Sequence, residues 1–173
     1  MHRLQREAEL VNPVGLLALL QEFHRDTLAA VLRHEAGAQL IGQYDVNNTY
    51  QFIVNREETQ LSWLAQAIAE LGGTVGQAAG PEPRAAGKGA DAVRAVAQED
   101  AREANAFVER WRPRVEAIAH ARCRGMLRVI LGETLEQQRF FEQAFAGRTD
   151  LLGRRGEQLG PSQGEVLPTR WIE

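Results

Sequence analysis

Residues 72–89 read GGTVGQAAGPEPRAAGKG, a stretch rich in Gly, Ala and Pro that shows no apolar period. Such a composition predicts a connection rather than a helix or a strand. Long connections are uncommon inside compact domains, so this one needs a topological reason. Fully extended, it spans roughly 50 Å at ~3.3 Å per residue, whereas a helix of about 26 residues is roughly 39 Å long. The linker is therefore long enough to cross a helical bundle from end to end.

Apolar residues recur at helical spacing in four segments around this linker. They predict a first helix over residues 13–42 and a second that follows a turn at 44–48 and ends at 71. The third and fourth are predicted over 90–112 and 115–146. Gly72 and Gly147 are typical of helix ends, and Pro113 is expected to end or bend the third helix. A short turn followed by a long linker predicts an all-α, antiparallel four-helix bundle with one long crossover between its second and third helices. The alternative is two separate helical hairpins on a flexible linker.

Length and charge bound the function. The chain has 173 residues and a net charge of −3, which suits one domain of residues 1–147, including the linker at 73–89, followed by an extended C-terminal tail at 148–173. No helix carries a basic stripe, so nucleic acid is not an expected partner. No segment approaches the ~18 apolar residues of a membrane span. A single cysteine, Cys123, excludes an internal disulfide, and a cytoplasmic location is expected. Leu167, Trp171 and Ile172 are expected to hold the tail to the bundle.

Carboxylates lie on helix faces that are otherwise apolar. Burying an acid is costly unless it is paired, protonated or bound to a cation. The inward-facing acids are Glu35, Glu57, Asp100 or Glu103, and Glu133 with Glu136. In an antiparallel hairpin, residues at the same height have position numbers with a nearly constant sum, which puts Glu35 opposite Glu57, and Glu133 opposite Glu99 or Asp100. Both hairpins therefore carry acids at a comparable depth, as a shared ion site requires.

Two stretches resemble ferritin-like proteins of the rubrerythrin and bacterioferritin kind. NREETQLSWL at 55–64, continuing to IAELGG at 68–73, is similar to their second helix, and GETLEQQRFFE at 132–142 is similar to their fourth. The resemblance covers roughly residues 13–147. Those proteins hold two irons with a Glu from each of two helices and a Glu-x-x-His from each of the others. By resemblance, the metal ligands would be Glu35, Glu57, Gln60, Glu103, Glu133 and Glu136, with Asp100 or Glu99 as substitutes for Glu103. Gln60 and Glu136 stand where the family has histidine.

Two classes of function follow. Oxygen ligands suit Fe²⁺ and Mn²⁺, so the first is a diiron or dimanganese carboxylate oxidoreductase or metal-binding protein. The second is a metal-free bundle that acts as an interaction or structural module and forms a homo-oligomer through Trp63, Trp111 or the tail. In the second class the acids pair with arginines, namely Arg33, Arg56, Arg102 or Arg139, or lie at solvated edges of the helix faces. No catalytic residue is indicated, and the sequence leaves open whether the protein is an enzyme.

The histidines do not complete the predicted metal site. His24 lies on the inward stripe three turns from Glu35, too far to share an ion with it, and is expected to be a hydrogen-bonded core residue. His34 and His120 are expected at the surface. Cys123 is expected to be an ordinary thiol.

Overall fold

The computed structural model describes residues 13–77, 80, 84 and 87–152, and in that part of the chain it contains four α-helices and no strand. The helices are α1 (Pro13–Leu40), α2 (Tyr44–Glu70), α3 (Ala90–Glu116) and α4 (Ala121–Phe145). The predicted all-α class is therefore confirmed. The predicted tail anchors Leu167, Trp171 and Ile172 lie outside the described residues. None of the described helices has the length and apolar character needed to cross a membrane.

The helices pack against one another as a four-helix bundle. The most extensive interfaces join α3 to α4 and α1 to α2, and smaller ones join α1 to α3 and α2 to α4. Two apolar clusters form the core. The Trp111 cluster includes Leu20, Phe23, Leu64, Trp111 and Leu127. The Phe141 cluster includes Tyr50, Ile53, Val96, Phe141 and Leu151. Trp111 is thus a core residue, and the expectation that it is exposed for oligomerisation was wrong.

The break between α1 and α2 is shorter than predicted and involves only residues 41–43. The stretch 44–48, predicted to be a turn, forms the start of α2 instead. The reason is the side chain of Asn47, which donates hydrogen bonds to the carbonyls of Ala38 (2.8 Å) and Ile41 (3.3 Å). Asn47 therefore satisfies carbonyls at the end of α1 from within the first turn of α2, which a helix terminus requires.

The break between α3 and α4 lies at residues 117–120, later than predicted. Pro113 neither ends α3 nor precedes a helix starting at 115, because α3 continues through it to Glu116. The N-cap of α4 is His120, whose Nδ1 accepts a hydrogen bond from the backbone N–H of Cys123 (3.2 Å). His120 is exposed, as predicted.

The predicted glycine ends of α2 and α4 are confirmed. Gly72 and Gly147 have φ angles of 77° and 89°, in the left-handed region where glycine meets no steric penalty. The backbone N–H of Gly73 donates to the carbonyl of Ile68, five residues back, as at many helix ends. The linker that follows thus leaves α2 in a defined direction.

Candidate functional site

Asp100 is the centre of a buried polar network that joins three helices and the linker. Its side chain is 0% exposed. The carboxylate accepts hydrogen bonds from the hydroxyl of Tyr50 on α2 (2.7 Å), from Nε of Arg33 on α1 (3.2 Å) and from Nη1 of Arg84 in the linker (3.2 Å). Burial and the Asp100 charge raise the pKa of Tyr50 well above its usual range, so the phenol stays a donor. One buried carboxylate is therefore compensated by two guanidinium groups and a hydroxyl.

Arg84 reaches this network from the linker, and only 6% of its side chain is exposed. Besides Asp100, its guanidinium donates to the carbonyls of Arg33 (3.0 Å) and Val96 (3.1 Å), and to the Glu99 carboxylate from Nε (3.2 Å) and Nη2 (3.0 Å). Burial by itself lowers the pKa of Arg84, but Asp100 and Glu99 outweigh it and the pKa is raised. Arg84 therefore stays charged inside the bundle.

His34 and Glu57 form a second buried pair beside Asp100. Nδ1 of His34 lies 2.9 Å from Oε2 of Glu57, and both side chains are buried. Nε2 of His34 lies 4.0 Å from Oδ1 of Asp100 and has no hydrogen-bond partner in the part of the chain that the structure describes. The prediction that His34 lies at the surface was wrong. An inward-facing imidazole with one free nitrogen thus adjoins two carboxylates.

Glu133 on α4 is held in a different way from Asp100. Arg56 on α2 donates to both of its carboxylate oxygens, from Nε (2.9 Å) and Nη2 (2.6 Å), and the Gln60 amide adds a third hydrogen bond (2.5 Å). These contacts leave the Glu133 side chain 26% exposed. The hydrogen bond to Glu133 raises the pKa of Arg56. The Arg56 guanidinium also lies over the ring of Trp63, 5.2 Å from its centroid, which orients it further.

A small cavity of about 20 Å³ lies between the four helices. It has room for about one water molecule or one metal ion. Every helix contributes to its wall, which includes His34, Glu57, Gln60, Phe107 and Gln137. The cavity therefore has both apolar and polar side chains in its wall, among them Glu57 and Gln60 of the predicted ion site.

The structure brings some of the predicted metal ligands together and separates others. Gln60 and Glu133 are hydrogen-bonded, and Gln60 and Glu57 line the cavity. Glu35 is half-buried, next to the buried His34. The other predicted ligands pair with arginines: Glu103 with Arg102 (3.2 Å), Glu136 with Arg139 (3.1 Å), and the alternatives Asp100 and Glu99 with Arg84. Among the described residues, no group of three or more His, Cys, Asp or Glu side chains is arranged to hold a metal ion. The metal site stays a prediction.

The arginine pairing that the sequence offered as an alternative is present at all four positions. Arg33, Arg56, Arg102 and Arg139 each pair with one of the candidate acids. Sequence reasoning missed a fifth arginine, Arg84. The signal available for it was a guanidinium in a linker otherwise made mainly of small residues.

His34 and Gln137 were also missed, and each lies one position away from a predicted ligand, Glu35 or Glu136. One residue along a helix rotates a side chain by about 100°. An error of one position therefore exchanges an inward side chain for one at the edge of the face.

A second ion-pair network joins α1 to α3 closer to solvent. Glu22 accepts hydrogen bonds from Arg114 (2.9 and 2.5 Å) and Arg110 (2.6 Å), and Asp26 accepts one from Nε1 of Trp111 (2.9 Å). The hydrogen bond from Arg114, opposed by partial burial and aided by Arg110, lowers the pKa of Glu22 to about 2. The guanidinium groups of Arg110 and Arg114 also lie over the ring of Trp111, 5.3 and 4.1 Å from its centroid, so the network contacts the Trp111 cluster.

The remaining singled-out residues behave as structural groups. His24 is buried, as predicted, but its Nδ1 has no hydrogen-bond partner within the described residues, so the predicted hydrogen bond is not found at that atom. Burial, with a contribution from Arg25, lowers the pKa of His24. Burial raises the pKa of the Cys123 thiol, which disfavours the reactive thiolate form.

Comparison with models of protein families, with curated protein sequences and with solved structures gave no match in any of the three searches. The ferritin-like resemblance therefore stays a prediction, and the geometry described above is the basis for assigning a function.

Proposed function

We propose that this chain is a ferritin-like helical bundle that works without a metal ion, as an interaction or structural module. The observation that carries the proposal is the pairing of most of the candidate metal-ligand carboxylates with arginines, Glu35 and Glu57 excepted. Asp100 accepts hydrogen bonds from two guanidinium groups and Glu133 accepts two from one. A metal ion would have to displace these groups and leave guanidinium charges partly buried, which is costly. Arginine thus supplies the positive charge that a metal ion would otherwise supply.

The proposed arrangement is an antiparallel bundle with a long crossover between α2 and α3. The order of contacts between α1 and α3 supports it. Along α1 from Glu22 to Arg33, the contact partner on α3 falls from Arg114 to Asp100. Partners in opposite order are what antiparallel neighbours require.

Contacts between α1 and α2 follow the same inverse order. Gln21, early in α1, donates to the carbonyl of Thr74 just after α2, whereas His34, late in α1, contacts Glu57 in the middle of α2. If α2 and α3 both run opposite to α1, they are parallel to each other. Residues 73–89 then have to cross the bundle, as the length of that stretch allows.

The experiment compares thermal unfolding of the wild type and Glu57→Gln, each with and without a metal chelator. In a metal-free bundle the chelator changes neither melting temperature. The substitution is neutral or stabilising, because the amide fills the same volume without a buried charge and its oxygen can still accept from His34. Glu58→Gln, at an exposed carboxylate on the same helix and outside the candidate ligand set, is the matched control. A wild-type melting temperature that falls with chelator, while that of Glu57→Gln does not, contradicts the proposal, since bound metal stabilises the folded state.

The alternative is an iron or manganese protein whose site is built on His34 and Glu57. The observation in its favour is the unpartnered Nε2 of His34, a residue that lines the central cavity. Metal analysis of protein purified from iron- and manganese-supplemented culture tests it. Under this alternative, Glu57→Ala and Glu133→Ala each abolish bound metal while helicity is kept. Equal metal content in the wild type and both variants excludes the carboxylates as ligands.

The module is further proposed to form a homo-oligomer. Large apolar side chains exposed on the described surface support this: Tyr44, Phe52, Val129, Leu135 and Leu152. Phe52 borders a groove between α2 and α4 that also includes Ile53 and Phe140. Light scattering on Phe52→Ser and the wild type tests the proposal. A monomer in both cases contradicts it.

A further inference from the structure

The groove between α1 and α3 is shaped around a single guanidinium group. Arg84 uses Nε on Glu99, Nη1 on Asp100 and the Arg33 carbonyl, and Nη2 on Glu99 and the Val96 carbonyl. These five hydrogen bonds match the five N–H donors of a guanidinium. Asp100 is fully buried, so water does not compete for its hydrogen bond with Nη1 of Arg84. The acceptors thus form a complete set for one planar, five-donor cation.

Gly37 makes room for this group. It lies inside α1, where glycine is a poor helix former. A Cβ at this position would come within 2.6 Å of Nη1 of Arg84 and 2.9 Å of Cγ1 of Val96. By contrast, a Cβ at Gly125 on α4 would meet no described atom within 4 Å. The close approach of the Arg84 guanidinium to the backbone of α1 therefore explains why position 37 is a glycine.

We propose that this groove is a guanidinium-binding site, and that Arg84 fills it in cis to fasten the linker across the bundle. The ligand class is a guanidinium cation on an extended chain or free in solution. A lysine ammonium has three donors in no planar fork and does not satisfy the same acceptors. The site goes beyond the proposed function, because it concerns what holds the linker and not what the bundle does. The test of this site measures guanidinium binding, whereas the test of the proposed function measures the response of the melting temperature to a chelator.

The first experiment empties the site and refills it from solution. Arg84→Ala is expected to melt at a lower temperature than the wild type, and millimolar methylguanidinium is expected to restore part of the loss. At ten times its dissociation constant, a ligand raises the folding constant about elevenfold. Methylammonium is the matched control ligand and should produce no recovery. The wild type should not respond, because its site is already filled.

A further variant, Arg84→Ala with Glu99→Ala, removes the acceptor of two of the five hydrogen bonds, at the more exposed edge of the groove. It should bind methylguanidinium at least tenfold more weakly than Arg84→Ala alone, measured by calorimetry. Recovery by methylammonium, an equal shift in the wild type, or no recovery at all overturns the proposal.

The second experiment needs no loss of Arg84, and so it remains decisive if Arg84→Ala does not fold. Trypsin must bind the arginine side chain to cleave after it. In the wild type we expect cleavage after the exposed Lys88 and at least tenfold slower cleavage after the buried Arg84. Gly37→Ala should expel the guanidinium and abolish this protection, whereas Gly125→Ala should preserve it. Cleavage after Arg84 and Lys88 at equal rates in the wild type overturns the proposal.

Discussion

Asp100 and Glu133 lie on neighbouring helices, α3 and α4, and both are paired with arginine, yet their surroundings differ sharply. The Asp100 side chain is 0% exposed and touches Arg33, Arg84 and Tyr50, whereas that of Glu133 is 26% exposed and touches Arg56 and Gln60. Losing one partner of a buried ion pair leaves a charge that water cannot solvate, while the partner of an exposed pair is simply rehydrated. The same kind of contact should therefore have very different energetic weight at the two positions.

The largest effect is expected at Asp100. Asp100→Asn keeps the shape but removes the charge that compensates Arg33 and Arg84, so the free energy of unfolding should fall by about 3–5 kcal/mol. Urea denaturation monitored by circular dichroism measures the loss. A loss below about 1 kcal/mol, the range of an exposed pair, would remove the distinction between the two carboxylates.

A substitution at Tyr50 measures how much an uncharged hydrogen-bond donor contributes to stabilising the buried Asp100 carboxylate. Tyr50→Phe removes only the hydroxyl that donates to Asp100 and should cost about 1.5–3 kcal/mol, as for hydrogen bonds to charged groups. Tyr44→Phe is the matched control, because Tyr44 is 76% exposed and its hydroxyl can bond to water. The prediction fails if both variants unfold at the same urea concentration.

Glu22 extends the comparison to a carboxylate that has two arginine partners, like Asp100, but is 31% exposed, like Glu133. Its pKa is about 2, compared with 4.5 for an unperturbed glutamate. A carboxyl with a lowered folded-state pKa stabilises the fold above pH 4.5, and that contribution is lost as the pH falls from 4.5 to about 2. Because solvent screens this pair, the contribution should not exceed about 1 kcal/mol.

Glu22→Gln should therefore flatten the stability profile between pH 4.5 and about 2 and lower stability slightly at neutral pH. Glu58→Gln, at an exposed carboxylate on α2, is the control and should leave the profile unchanged. Parallel profiles for Glu22→Gln and the wild type across this interval would show that the arginines do not favour the ionised form.

The smallest effect is expected at Glu133. Glu133→Gln keeps an acceptor for Arg56 and Gln60 and should cost about 0–1 kcal/mol, a loss that shrinks further as salt screens the pair. Urea denaturation at low and high ionic strength measures it. A cost equal to that of Asp100→Asn would mean that burial does not separate the two positions.

The fold class could be predicted from the sequence because long apolar periods and glycine ends are local signals. Gly72 and Gly147 end their helices in the predicted places. The helix ends near Asn47 and Pro113 could not be predicted, since Asn47 caps the preceding helix through side-chain hydrogen bonds and α3 continues through Pro113 to Glu116. Local preference does not distinguish these roles from a turn or a break.

For the candidate site, the sequence predicted burial at some positions and missed it at others. Glu57 and Asp100 are buried, as expected for acids on apolar stripes, and so is Gln60, which the resemblance implied. His34 was misplaced by one position, which on a helix is enough to turn a side chain from the edge into the core. Arg84 could not be found by periodicity, since it lies in a linker and its partners come from α1 and α3.

The pattern of helix contacts has a kinetic consequence. The extensive interfaces join helices adjacent in sequence, α1 with α2 and α3 with α4, and contacts of this kind form quickly. The contacts of Arg33 with Asp100 and of Arg114 with Glu22 instead span 67 and 92 residues and join the two pairs. If they form after the transition state, substitutions at Asp100 should accelerate unfolding and leave the folding rate nearly unchanged. The lifetime of the folded protein would then be governed by the polar network between α1 and α3, and its rate of formation by the apolar pairs.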